Sequence, residues 1–299
     1  MKQLWFIAAI AFLGVPVCSG QEYPVKGLVL EVDAPHRSLV VSCDEIPNYM
    51  PPMVMPFTVR DTQELAELAP GVMIDFTLVV EPHSFHIEKF HLHRYEGLEQ
   101  DPLGARRLKL IERISQPASQ TVEIAVGASV PDFSLIDQNR QKIALSQFAG
   151  KIVLLTFTYT RCPLPDFCFR ISNNFGQLQK RFADQMGRGI VFLSITFDPE
   201  HDTPEILAKY ASTWKASSKG WHFLTGAKPE IERICWQFGM NFWPDEGAMT
   251  HSLHTVVISP KGNLVANLEG NDFTAIQLGD FVQAILDQSR RDVRQNSSE

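Results

Sequence analysis

Residues 151–170, KIVLLTFTYTRCPLPDFCFR, change character twice within twenty positions. Ile152 to Tyr159 form a nearly unbroken apolar run, as in a strand covered on both faces. Pro163 and Pro165 then break the chain. The following stretch, FRISNNFGQLQKRFADQ, spaces Phe169, Phe175, Leu178 and Phe182 for one face of a helix. A two-sided strand that leads through a short loop into an amphipathic helix is the building unit of an α/β sheet with helices on both faces.

The flanking sequence repeats the pattern. DFSLID (132–137) and KIALSQFAG (142–150) read as a strand pair, and GIVFLSITFD (189–198) as a second buried strand. DTPEILAKYASTW opens a helix with Asp202 as N-cap, Pro204 in the first turn and Glu205 three residues after the cap. EIERICWQFG is a further helix, in which Cys235 sits among apolar neighbours. HSLHTVVISP and LVANLEG form a strand pair about a Lys261-Gly262 turn, followed by the helix FTAIQLGDFVQAILDQSRR. This part of the chain, 125–290, is expected to be a central sheet flanked by helices, with 291–299 as a polar tail.

Residues 22–97 differ. VKGLVLEVD, SLVVSCD, VMPFTVR, VMIDFTLVVE and FHIEKFHLHR are short alternating stretches separated by turn-forming residues, which predicts a small five-stranded all-β barrel. TQELAELAPG is its one helical candidate. Residues 98–124, with Pro102 and Pro117, read as a linker with a short helix near GARRLKLIERI. Residues 1–20 pair Lys2 with an apolar run from Leu4 to Val17, the pattern of an export signal cleaved after Gly20. A lipid anchor on Cys18 is the alternative, and membrane contact is otherwise expected only through a partner. The reading places the mature protein outside the cytoplasmic membrane, in the periplasm or its equivalent, where disulfides are permitted.

Composition limits the chemistry. With 44% hydrophobic residues and a net charge of −7 without a basic stripe, the chain can bury a core and offers nothing to a phosphate backbone, so nucleic acid is excluded as a partner. Cys43, Cys162, Cys168 and Cys235 remain after the leader, too few for a disulfide scaffold. Cys162 and Cys168 are six positions apart, about 600° of helical rotation, and cannot share one face of a continuous helix. The prolines place Cys162 on the loop leaving the strand and Cys168 at a helix N-terminus, where the dipole lowers a thiol pKa. A structural disulfide, a dithiol for thiol–disulfide exchange and a pair of metal thiolates all fit this geometry.

GASVPDFSLIDQNRQKIALSQFAGKIVLLTFTYTRCP, SITFDPEHDTPEILAKYA, WHFLTG and THSLHTVVISPKGNLV together resemble the Sco/SenC copper-chaperone family of the thioredoxin superfamily. The resemblance implies a thioredoxin-like fold and one copper ion held by Cys162, Cys168 and His251. It also implies delivery to the copper-site subunit of a respiratory oxidase, with the dithiol able to reduce a target's cysteines. One departure from the family stands out: its cysteines are separated by three residues, here by five. MTHSL lacks the proline that, by resemblance, thioredoxin-type oxidoreductases carry before this strand, which favours a metal site over pure redox work. Copper(I), a soft ion, suits two thiolates and an imidazole; copper(II) is the other state to consider. His254 is read as structural, His201 as an exposed loop histidine, and Asp198 and Pro199 as shaping that loop.

SCDEIPNYMPPMVMPFTV resembles the CusF-like copper-binding domain, with Pro51, Met53 and Met55 matching its Pro-x-Met-x-Met core. Met50 and Tyr49 stand near the family's aromatic position and Cys43 near its histidine. The resemblance implies a second copper site of Met53, Met55, Cys43 and Met50. His83, His86, His91 and His93 are read as solvated histidines of an outer face. Two soft-donor clusters in one exported chain point to a copper chaperone. A thioredoxin-like oxidoreductase and a copper buffer for resistance are the alternatives.

Overall fold

The computed structural model describes residues 20–59, 65–66, 68–93, 122–245 and 248–296. The leader, Cys18, the GARRLKLIERI segment and residues 62–64 and 67 of TQELAELAPG lie outside them. No helix among the described residues is long and apolar enough to cross a membrane.

Five antiparallel strands make the first sheet: β1 (Gln21–Asp33), β2 (Ser38–Cys43), β3 (Met53–Thr58), β4 (Met73–Val80) and β5 (Phe85–Leu92), in the order β3-β2-β1-β4-β5. The outer strands β3 and β5 meet, and Phe57 and Phe85 set their rings edge to face at 5.9 Å, so the sheet closes on itself as expected.

The second sheet has seven strands: β6 (Ser134–Asp137), β7 (Lys142–Ala144), β8 (Ile152–Thr158), β9 (Ile190–Thr196), β10 (Trp221–Thr225), β13 (His254–Ile258) and β14 (Leu264–Glu269). Their order is β14-β13-β8-β9-β10-β6-β7; β8, β9 and β10 are parallel, and β13 and β6 run against them. Four α-helices among the described residues complete it: α1 (Arg170–Arg181), α2 (Pro204–Thr213), α3 (Lys228–Gln237) and α4 (Ala275–Asn296). Every residue of β8 and β9 is buried. Ile152, Leu154, Ile190 and Phe192 face the core shared with α1, α2 and α4, whereas Val153, Leu155, Val191 and Leu193 face the core shared with α3. The result is a thioredoxin-like α/β sheet preceded by a small β-barrel.

Several elements depart from the sequence reading. WHFLT forms β10, a strand too short to stand out by periodicity. FWPD and AMTH form a two-stranded ribbon, β11 (Phe242–Asp245) and β12 (Ala248–His251), so HSLHTVVISP is divided: His251 ends β12 and His254 begins β13. Phe169 is exposed and rests on Trp214 at 4.9 Å, and Ile171 fills the buried face of α1 instead. Thr203, not Asp202, is the N-cap of α2. Asp202 is fully buried and accepts hydrogen bonds from Thr160 Oγ1 (2.5 Å), the Thr160 amide (3.1 Å) and Thr196 Oγ1 (2.5 Å), a use that outcompetes capping.

β1 is buried on both sides. Val25 and Val29 point into the barrel, and Leu28 and Leu30 join the core of α1 and α4. Gly71 (φ +89°) approaches β14 so closely that a Cβ there would lie 2.4 Å from Ala266 Cβ. Polar ties flank this contact. Asp280 of α4 accepts from Ser42 Oγ of the barrel at 2.7 Å and from Arg181 of α1 at 2.6 Å, and His93 places its two ring nitrogens 2.5 Å from Asp75 and 2.9 Å from Asp272. His93 is therefore no solvated histidine: it joins the barrel to the loop before α4. Although burial opposes the charge, the two carboxylates hold its pKa above the ordinary value.

Because Leu28 belongs to the larger core, Leu28→Ala should cost roughly 3 kcal/mol. Tryptophan fluorescence, which reports only the larger sheet among the described residues, should then melt earlier, in step with circular dichroism. An unchanged tryptophan transition would show that the two cores are independent.

Candidate metal centre

The parallel pairing of β8 with β9 and the antiparallel pairing of β13 with β8 bring three chain segments to one end of the sheet. The chain leaves β8 through Tyr159, Thr160 and Arg161 to Cys162. It leaves β9 through Phe197 and Asp198, and it enters β13 from His251. Arg161 is anchored by Asp198, with Nε and Nη2 at 3.0 and 2.6 Å from one carboxylate oxygen, while Thr160 is anchored by Asp202. Thr156 Oγ1 donates to the His254 carbonyl at 3.0 Å, tying the third segment to the first.

Between the cysteines the chain forms a π turn, Pro165–Phe169, kinked at Phe167 (φ −108°, ψ −110°), before α1 begins. Asn271 Nδ2 donates to the Asp166 carbonyl and holds this turn from the loop before α4. The kink turns Cys168 inward, where it is buried, and Cys162 stays half-exposed. Cys162 Sγ, Cys168 Sγ and a ring nitrogen of His251 all lie within 4.8 Å of one another. His251 is 7% exposed, with Nδ1 2.8 Å from the Ser252 carbonyl, so Nε2 is the nitrogen free to ligate. Tyr159, Phe167 and Phe197 surround its ring, with centroids 5.7, 6.0 and 4.8 Å away.

The two sulfurs share a proton unequally. The Cys168 thiol hydrogen-bonds to Cys162 and brings its pKa well below the ordinary thiol value, against the cost of burial and with further help from His251. Cys168 moves the opposite way, pushed up by that hydrogen bond, by burial and by the Cys162 charge. The expectation from the helix dipole is thus reversed: a terminus worth about 1 kcal/mol cannot offset complete burial beside a thiolate. The buried Tyr159 phenol is raised mainly by burial and then by that charge. All four described cysteines are free thiols.

Other sequence-predicted residues fall as follows. Asp198, His201 and Asp202 form a second compact cluster, but the two carboxylates are engaged by Arg161, Thr160 and Thr196, His201 Nδ1 lies 3.0 Å from Asp202 Oδ1, and the cluster serves the loop. His254 is buried, with Nδ1 3.0 Å from Asn267 Oδ1 and Nε2 3.1 Å from Ser252 Oγ, and Cys235 is fully buried among apolar side chains. In the barrel, Cys43 lies opposite Met53 in the β2–β3 register, and Met55 opposite Val41. Cys43 and Met50 are buried in the barrel core, Met55 packs against it, and Met53 is 44% exposed. Burial pushes the Cys43 thiol up to about 12. Sequence reasoning missed Tyr159 and Asp202 as partners of the cysteine loop, because their contacts arise only from strand pairing.

Comparison with known proteins groups these features. The SCO1/SenC family model matches residues 123–286, and the model of CusF, a copper binding periplasmic protein, matches residues 22–92. The chain is similar to Protein sco1 of Schizosaccharomyces pombe, at 28% identity over 141 residues, 44% of this chain and 52% of the relative. It is also similar to a SCO1 protein homolog of Bacillus subtilis, at 25% identity over 159 residues, 52% of this chain and 81% of the relative. The chain therefore spans about half the length of the S. pombe relative. Among solved structures it resembles Arabidopsis thaliana ScoI with copper bound, at 25% identity and a TM-score of 0.47, covering 55% of this chain and 99% of that one.

Two measurements follow from the electrostatics. Iodoacetamide should label Cys162 at least roughly tenfold faster than Cys168 from mildly acidic pH upward, read by peptide mass spectrometry; faster labelling of Cys168 would contradict the assigned proton. His254 is held neutral by burial, its pKa lowered from 6.5 to about 4. The unfolded chain binds this proton below pH 6.5 and the folded chain does not, so stability is full above 6.5 and falls as the pH drops towards 4. The loss should reach about 3 kcal/mol, and urea titrations of His254→Asn should show a correspondingly shallower acid slope.

Proposed function

The chain belongs to the SCO1/SenC family, and we propose that it is an exported copper chaperone that holds copper(I) on Cys162, Cys168 and His251 and passes it to a copper site of a respiratory oxidase. The observation that carries this reading is the convergence of two sulfurs and one imidazole within 4.8 Å. Two thiolates with one neutral imidazole match the preference of copper(I) for soft donors and low coordination. Structural zinc would call for a fourth ligand, and among the described residues no further His, Cys, Asp or Glu joins the cluster.

The chain's own residues prepare the site. Cys162 is already a thiolate at neutral pH, so loading displaces one proton, from Cys168. Tyr159 and the aromatic wall exclude water and keep the anionic sulfur in a fixed place. Cys162 is the half-exposed donor, and an acceptor's ligands would meet the ion from its side.

The barrel supplies the second part of the proposal: a capture site built on Met53 and Met55, with Cys43 and Met50 behind them. Thioethers need no deprotonation, which suits a site whose only thiol is held protonated by burial. A redox role has its own support in the unequal sulfur pair. Cys162 would attack a target disulfide, and Cys168 would then displace the target thiolate, leaving a Cys162–Cys168 disulfide and a reduced target.

Anaerobic copper(I) titration of the full chain should count two equivalents. Cys162→Ser with Cys168→Ser should remove one, Met53→Leu with Met55→Leu the other, and His251→Ala should weaken the first by tenfold or more. Retention of both equivalents without the cysteines would overturn the assignment. Transfer to an apo oxidase copper domain separates a chaperone from a buffer, which would keep its metal.

A further inference from the structure

Beside the centre lies a cavity of about 340 Å³, bounded by the loop after β9 and by the β11–β12 ribbon. Its charged side chains are largely paired with one another: Arg161 with Asp198 and Lys228 with Glu200. Met249 carries the one sulfur among the described residues that line it.

Met249 stands two residues before His251 on β12, so both side chains lie on the same face of the ribbon. The Met249 amide donates to the Tyr159 hydroxyl at 3.4 Å, and the Tyr159 ring stands edge to face with His251 at 5.7 Å. Tyr159 thus touches both the Met249 backbone and the His251 ring. Met249 and Cys162 also pack, half-buried, against the same apolar cluster. A methionine side chain, unbranched and with three rotatable bonds, adapts readily to a donor position that shifts.

We propose that Met249 is an accessory thioether donor that takes copper(I) from His251 at the mouth of this cavity as the ion enters or leaves the centre. In the exchange the bond from copper to His251 Nε2 breaks as one to Met249 Sδ forms, while both cysteine sulfurs stay bound. Thioether and imidazole are both neutral donors, so no proton moves, copper remains copper(I) and the charge of the complex is unchanged. His251 keeps its contact with the Ser252 carbonyl throughout. The exchange moves the ion from an enclosed pocket to a half-exposed donor, where an incoming ligand can reach it.

This inference rests on the copper reading of Cys162 and Cys168. Selenomethionine-labelled full-length protein, carrying Met53→Leu and Met55→Leu to remove the exposed thioether pair of the barrel, is loaded with one equivalent of copper(I). Absorption fine structure at the copper and selenium edges is then recorded with and without His251→Ala. A copper–selenium contact is expected in His251→Ala, and Met249→Leu should abolish it. Met249→Leu alone should slow copper(I) release to bathocuproine several-fold while leaving the unfolding transition in place. Copper–sulfur scattering without any copper–selenium contact, or a contact that survives Met249→Leu, would overturn this proposal alone. Absence of copper–cysteine scattering would instead overturn the reading on which it rests.

Discussion

The two-sided burial of β8 and β9 is the constraint from which the rest of the molecule takes its order. Their side chains alternate between two apolar cores, and a slip by one residue would exchange the contents of both. Register is thereby fixed, and with it the points at which the chain leaves the sheet. Tyr159 and Phe197 emerge side by side, β13 delivers His251 to the same end, and a few polar ties lock the three segments together. Asp202 has the largest part in this: one buried carboxylate binds the loops after both strands. Cysteines and a histidine more than eighty positions apart are thus placed by hydrophobic register first and by hydrogen bonds second.

Within the site, burial and charge act against each other. Two adjacent sulfurs with little water cannot both ionise cheaply, so the pair retains one proton, and the more exposed sulfur carries the charge. A cation of soft character would resolve the conflict, since it would replace the proton and satisfy both sulfurs. The same asymmetry gives the apo protein one nucleophilic and one protected thiol. The metal binding and the thiol exchange proposed for the pair would therefore draw on a single electrostatic arrangement.

Much of this was legible in the sequence where a pattern is long or local. The apolar runs of β8 and β9, the helical spacing in α1 and α4 and the five short strands of the barrel all announce themselves by periodicity. Cys162, Cys168 and His251 were legible through family resemblance rather than spacing, since geometry alone left three chemistries open. What escaped is what depends on distant partners. Asp202 has the sequence context of an N-cap, yet Thr160 and Thr196 claim it from other segments. His93 belongs to an alternating run that suggests a solvated face, but it is held by Asp272 from the far half of the chain. The ribbon of β11 and β12 has strands of only four residues, too short to declare a period.

The π turn between the cysteines carries a consequence for the helix that follows it. In a regular helix each inserted residue would swing everything after it by about 100°, and α1 would lose its buried face. A turn that widens and kinks takes up extra residues locally and leaves the downstream helix in phase. Cys162 and Cys168 therefore meet although the interval between them fits no whole number of helical turns. The turn thus sets the five-residue interval between Cys162 and Cys168 at no cost to the packing of α1.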